Sequence, residues 1–121
     1  MNEDLVSKDA YTLSKLKSLV ERRSDQNSFH IYSEANLRGQ IFNLNEGQHF
    51  SEVQYEGSLL ITGLKGIAQI VVDGDTVIIE ELDQLLINPK TPFSLLAKTD
   101  TSFQFVWSPP FEKIVYPDNS T

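Results

Sequence analysis

The chain of 121 residues contains no cysteine. That excludes disulfides, thiolate nucleophiles and thiolate zinc sites together. Histidine is scarce as well: His30 and His49 are the whole supply, too few to gather several imidazoles around a metal. No apolar run approaches the roughly 20 residues that span a bilayer. The opening MNEDLVSKDA lacks the apolar stretch of a secretory signal. A cytoplasmic location without a membrane partner is the expectation. Basic residues number 10 against 17 acidic ones, a net charge of −7. A phosphate backbone is repelled by that average, so no nucleic-acid partner is expected. There is no P-loop, no dinucleotide-binding glycine pattern and no G-x-S-x-G elbow, and no repeat or low-complexity block.

What is present is the composition of one globular domain, 40% hydrophobic and 22% charged. From Gly47 to Trp107, short β-branched and apolar runs alternate with turn signals at intervals of about eight to twelve residues, the pattern of an all-β sandwich or barrel. The spacing predicts strands over residues 29–32, 38–44, 49–55, 58–62, 67–72, 76–80, 85–87, 93–97 and 102–107. Asp73-Gly74 is the clearest hairpin signal. Gly63 and Gly66 bracket a further turn, and Pro109-Pro110 end the sheet.

Before the strands, residues 7–23 show helical periodicity. Leu13, Leu16, Leu19 and Val20 fall on one arc, with Ser7 as N-cap and Arg22 and Arg23 near the C-terminus. Lys8, Lys15 and Arg22 recur every seven residues as a basic stripe on that helix. Residues 1–23 carry a balance of +1, which leaves −8 for the rest. The organisation expected is an N-terminal amphipathic helix and connector over 1–27, a barrel over 28–110 and a tail over 111–121. The helix either packs its leucines on the barrel or on a second subunit, or serves as a docking arm.

The order of these features resembles a small single-domain cupin, the RmlC-like jelly-roll barrel, over about residues 38–110. Gly47 stands where the first motif of that family begins, Gly57 at a common glycine position, and Gly66 at the motif's end. Asp73-Gly74 matches the hairpin between the two motifs. LDQLLINPKTPFSLLA follows the cadence of the second, with Asp83 and Pro92 in place, and FQFVWSPP resembles the closing strand. The resemblance implies an all-β jelly roll with one N-terminal helix. It also implies a metal held by three histidines and a glutamate. Those four positions are Val53, Tyr55, Leu59 and Phe93 here, and Leu82, Asn88 and Lys90 replace a glycine, a proline and a glycine of the second motif. The expectation is a degenerate cupin without metal or other cofactor.

Inward-facing positions then present Val53, Tyr55, Leu59 and Phe93. Alternation adds Phe103, Phe105 and Trp107 from the last strand. Such an interior is either a packed core or an apolar pocket with the Tyr55 hydroxyl as its polar handle. Val53, Tyr55, Leu59, Phe93, Phe105 and Trp107 are the candidate ligand-binding residues, and no catalytic set is assigned. The function expected is a metal-free barrel serving as a small-ligand binding or protein-interaction module, as a homodimer. The alternative is a metal-independent isomerase, epimerase or lyase that uses Tyr55 with a nearby acid or histidine. His49 with Tyr55 and His30 with Tyr32 are the pairs to compare. Six residues of extended chain hold His49 and Tyr55 roughly 20 Å apart.

Overall fold

The computed structural model describes residues 4–111. Eleven strands and one helix follow in the order β1 (Leu5–Ser7), β2 (Thr12–Ser14), α1 (Leu16–Arg22), β3 (Ser28–Ser33), β4 (Arg38–Leu44), β5 (His49–Val53), β6 (Leu59–Lys65), β7 (Ala68–Val72), β8 (Asp75–Ile79), β9 (Gln84–Ile87), β10 (Phe93–Ala97) and β11 (Thr101–Trp107). Besides the two-stranded β1-β2 hairpin, two larger antiparallel sheets are formed, in the strand orders β5-β10-β7-β8 and β3-β4-β11-β6-β9. This is the jelly-roll architecture expected. Strand alternation turns one face of each sheet inward, and Phe42, Phe50, Leu59, Ile61, Ile70, Phe93, Leu95, Phe103 and Phe105 meet there as one buried cluster.

A second, smaller cluster lies on the outer face of the five-stranded sheet. Leu19 of α1 packs on Phe29, Ile31 and Ile41, with Leu5 and Leu16 beside them. The N-terminal region therefore covers the barrel, but not as the helix expected over 7–23. The helix is confined to Leu16–Arg22, and β1 and β2 form a hairpin in register Leu5↔Ser14 to Ser7↔Thr12. Val6, Ser7, Tyr11, Thr12 and Ser14 are weak helix formers, and Tyr11 to Ser14 also alternate with period two. Tertiary ties decide the matter: the Lys15 N–H donates to the Asp4 carbonyl at 2.7 Å, and the Arg22 Nε donates to the Asp4 carboxylate at 3.2 Å. The basic stripe dissolves with the long helix. Lys8 lies in the hairpin turn, where its N–H donates to the Tyr11 carbonyl, and Lys15 caps the helix start. The tail expected over 111–121 lies outside the described residues except for Phe111.

Asp73 and Gly74 make the anticipated hairpin, with φ of 50° and 86° between β7 and β8. Both angles are positive, as a type I′ turn requires. Gly63 corrects the expectation of a turn, because it lies within β6. A Cβ there would meet the backbone carbonyl of Glu80, so this glycine permits a close approach of two chain segments rather than a reversal.

Candidate functional site

The end of β5 and the loop after it bring Val53 and Tyr55 to one end of the barrel. Val53 is registered with Phe93 on β10, and Leu59 on β6 with both Trp107 on β11 and Ile87 on β9. The Lys90 N–H donates to the Tyr55 carbonyl at 2.8 Å and ties the two motif regions together. All six residues singled out as pocket candidates are buried in the central cluster. Their packing is aromatic and continuous. The Tyr55 ring lies 5.5 Å from Trp107, 6.1 Å from Phe105 and 6.3 Å from Phe93. Phe105 carries the contact inward to Phe42 and Phe103 at 5.2 Å each and to Phe50 at 5.5 Å. Edge-to-face and tilted pairs at these separations are the favourable arrangement for aromatic quadrupoles.

The four positions that hold the metal in a cupin thus carry two aliphatic side chains, one phenyl ring and one phenol. Imidazole and carboxylate donors are what a divalent first-row metal requires there, and this donor set does not fit one. Among the described residues no three His, Asp or Glu side chains are grouped to hold a metal ion. His30 is exposed on β3, and His49 on β5 is paired with Leu96.

Two positions where the resemblance implies glycine have an unusual backbone. Leu82 and Lys90 have φ of 72° and 63°, the left-handed region that glycine enters without penalty and other L-residues at a cost of about 1–2 kcal/mol. Both turns are made by residues that do not favour this conformation. The Gly63 carbonyl accepts the Leu82 N–H at 2.8 Å, and the Tyr55 carbonyl accepts that of Lys90, so hydrogen bonds hold both turns in place.

Phe93 lines a cleft of about 310 Å³ with Glu52, Val71, Asp73, Pro92 and Ser94. A groove of about 680 Å³ runs between α1 and β6, where Leu16, Val20, Leu64 and Leu82 meet Lys17, Glu21, Lys65 and Glu81.

Two polar side chains of the interior escaped the sequence reading. Arg38 and Gln40 are in register with Trp107 and Phe105 on β11, so they share the inward face with Phe42 and Leu44. Gln40 is 1% exposed. Its Oε1 and the Nε of Arg38 are buried without a hydrogen-bond partner among the described residues. The Arg38 guanidinium lies 4.3 Å from the centre of the Phe111 ring, a cation–π contact that covers it from outside. The signal was present in the strand itself, because positions 38 and 40 have the same parity as Phe42 and Leu44.

No family model matches the chain, and no curated protein does. Solved structures do. A cupin superfamily protein from Desulfitobacterium hafniense superposes with a TM-score of 0.71 at 21% identity, over 89% of this chain and 97% of that one. A conserved protein of unknown function from Streptococcus pyogenes gives 0.64 at 24% identity, over 70% and 75%. Salicylate 1,2-dioxygenase from Pseudoaminobacter salicylatoxidans gives 0.63 at 18% identity, over 78% of this chain and 31% of the enzyme. The chain has the cupin jelly-roll fold. Its neighbours include both enzymes and proteins of unknown function, and at these identities the likeness is one of fold. Among the described residues no helix is long and apolar enough to cross a membrane.

Proposed function

We propose that the protein is a metal-free cupin-fold interaction module whose working surface is its exterior. One observation carries the reading. The space where a cupin holds its metal is occupied by Val53, Tyr55, Leu59 and Phe93, packed against Phe105 and Trp107 within a single buried cluster. Closely packed interiors hold few voids larger than a water molecule, which supports a working surface on the exterior. A native mass spectrum of the untagged protein, purified without added metal, tests this. The expected spectrum has no metal and no organic adduct. A stoichiometric adduct of a few hundred daltons would move the function back inside the barrel.

A second reading has its own observation. The buried Arg38 Nε–H and Gln40 Oε1 offer one donor and one acceptor on the inner face. They would suit a small ligand that carries a carboxylate beside a hydroxyl or amine, or a single bridging water. If such a ligand co-purifies, Gln40→Leu should remove it while the protein stays folded. Retention of the adduct in that variant would exclude this end of the barrel. The metal-independent isomerase reading has less support, since the rings around Tyr55 belong to Phe93, Phe105 and Trp107. Should any turnover be found, Tyr55→Phe must abolish it for that reading to stand.

A further inference from the structure

We infer that the β3 side of the five-stranded sheet carries a binding site for a small 2-hydroxycarboxylate, held by Arg38 and Gln40. The inference rests on the second reading above and names its ligand class.

The two faces of β3 have different surroundings. Phe29 and Ile31 belong to the small cluster under α1, on the outer face of the sheet. His30 lies between them and turns the other way, inward, where it is paired with Gln40 on β4. Yet His30 is exposed. An inward-facing side chain that meets solvent marks a place where the second sheet does not cover the first. β3 is the edge strand of its sheet, so this opening lies at the side of the sandwich. Gln40 is the next residue inward along the same row, followed by Phe105 and Ile61.

Two polar groups wait behind that opening. The Oε1 of Gln40 and the Nε of Arg38 are buried without a hydrogen-bond partner among the described residues. Native interiors satisfy nearly all such groups, because an unpaired buried one is costly. A pair of them on adjacent same-face positions of one strand points to a single ligand that satisfies both. Arg38 also lacks a balancing carboxylate, since among the described residues the ion pair within the chain is Arg22–Asp4. The Phe111 ring lies over the Arg38 guanidinium, 4.3 Å from its centroid. That contact takes a face of the guanidinium and leaves the N–H edge for an anion.

Chemistry selects the ligand. The Nε–H is a donor that carries positive charge, which matches a carboxylate. The amide oxygen is an acceptor, which requires an O–H or N–H from the ligand. Residues two apart on one face of a strand are attached roughly 7 Å from each other. A carboxylate with a donor on the adjacent carbon closes that gap with a hydrogen bond of about 2.9 Å at each end. An ammonium in the donor position would lose its water to a neutral amide oxygen and sit near the guanidinium charge. A hydroxyl meets neither cost.

Lactate, propionate and alanine test this on the full chain. They share one skeleton and carry a hydroxyl, a hydrogen or an ammonium on the carbon beside the carboxylate. The readouts are the fluorescence of Trp107, the single tryptophan and the cross-strand neighbour of Arg38, and the NMR signals of the Arg38 Nε–H and the Gln40 amide. Sodium chloride holds the ionic strength constant. Lactate should shift all three signals saturably, with a Kd at least about tenfold below that of propionate, the worth of one hydrogen bond to a buried acceptor. Alanine should also bind more weakly than lactate. Gln40→Leu removes an unpaired buried oxygen, so it should stay folded and erase the advantage of lactate over propionate. Gln40→Met serves the same purpose if the leucine variant does not fold. Arg38→Met keeps the apolar stem and should abolish the binding of both acids. No saturable response to any of the three probes, or one that sodium chloride alone reproduces, would overturn the inference and the second reading together. Propionate or alanine binding as tightly as lactate through the same two side chains would overturn the hydroxy-acid assignment and leave that reading standing. Lactate binding indifferent to Gln40→Leu or to Arg38→Met would place the ligand elsewhere and overturn the inference.

Discussion

Replacing Phe105 with alanine measures how full the barrel is. Phe105 is 0% exposed, and the rings of Phe42, Phe50, Tyr55, Phe93 and Phe103 all lie within 6.1 Å of its own. A phenylalanine at the centre of a close-packed core loses its transfer free energy and leaves a cavity that neighbouring rings cannot fill, at a cost of about 3–5 kcal/mol. The density of ring contacts around Phe105 puts the expected loss near the top of that range, at about 4 kcal/mol. That is a large share of the roughly 5–15 kcal/mol that holds such a domain together. Phe105→Leu, which keeps most of the volume, should cost only about 1.5 kcal/mol and remains measurable if the alanine variant does not fold. Urea unfolding followed by fluorescence is the assay, since the single tryptophan, Trp107, is 4% exposed and lies against Tyr55. The midpoint should fall with the slope unchanged. A loss below about 1 kcal/mol for the alanine variant would mean that the ring already borders open space, and the filled-barrel argument would fail.

Smaller perturbations test the turns. Lys90→Gly should stabilise the fold by about 0.5–1 kcal/mol, because φ of 63° costs lysine and not glycine; an unchanged urea midpoint would show that the strain is relieved elsewhere. Gly74→Ala should cost about 1 kcal/mol through φ of 86° alone, since a Cβ there meets nothing within 4 Å. Gly63→Ala should cost more than Gly74→Ala, because its Cβ is driven into the Glu80 backbone, and thermal melts of the two variants give the ranking directly.

The barrel was legible wherever local pattern and tertiary demand agree. Residues 38–44 and 93–97 are strands as their short runs between turn signals predict, and the Asp73-Gly74 turn follows from residues able to adopt positive φ. The N-terminus was not, because Leu13, Leu16, Leu19 and Val20 fit a helical arc while Tyr11 to Ser14 fit a strand equally well. Contacts of Asp4 with Lys15 and Arg22, invisible in local sequence, choose the hairpin. Gly63 reads alike whether it serves a turn or a close approach, and only the position of Glu80 separates the two. The inward cluster of Val53, Tyr55, Leu59, Phe93, Phe105 and Trp107 could be gathered from motif positions and alternation. Arg38 and Gln40 were missed because polar residues on a strand are read as outward-facing, whereas the register with Trp107 and Phe105 turns them in.

The claim that the interior is solid is tested most directly by xenon under pressure in crystals of the wild-type protein, with Phe105→Ala or Phe105→Leu as the positive control. Xenon enters dry apolar cavities and ignores packed cores. The wild type should show no xenon among Tyr55, Phe93, Phe105 and Trp107, and the cavity variant should show one atom in the vacated space. A xenon atom among those four residues of the wild type would establish an open pocket and contradict the account.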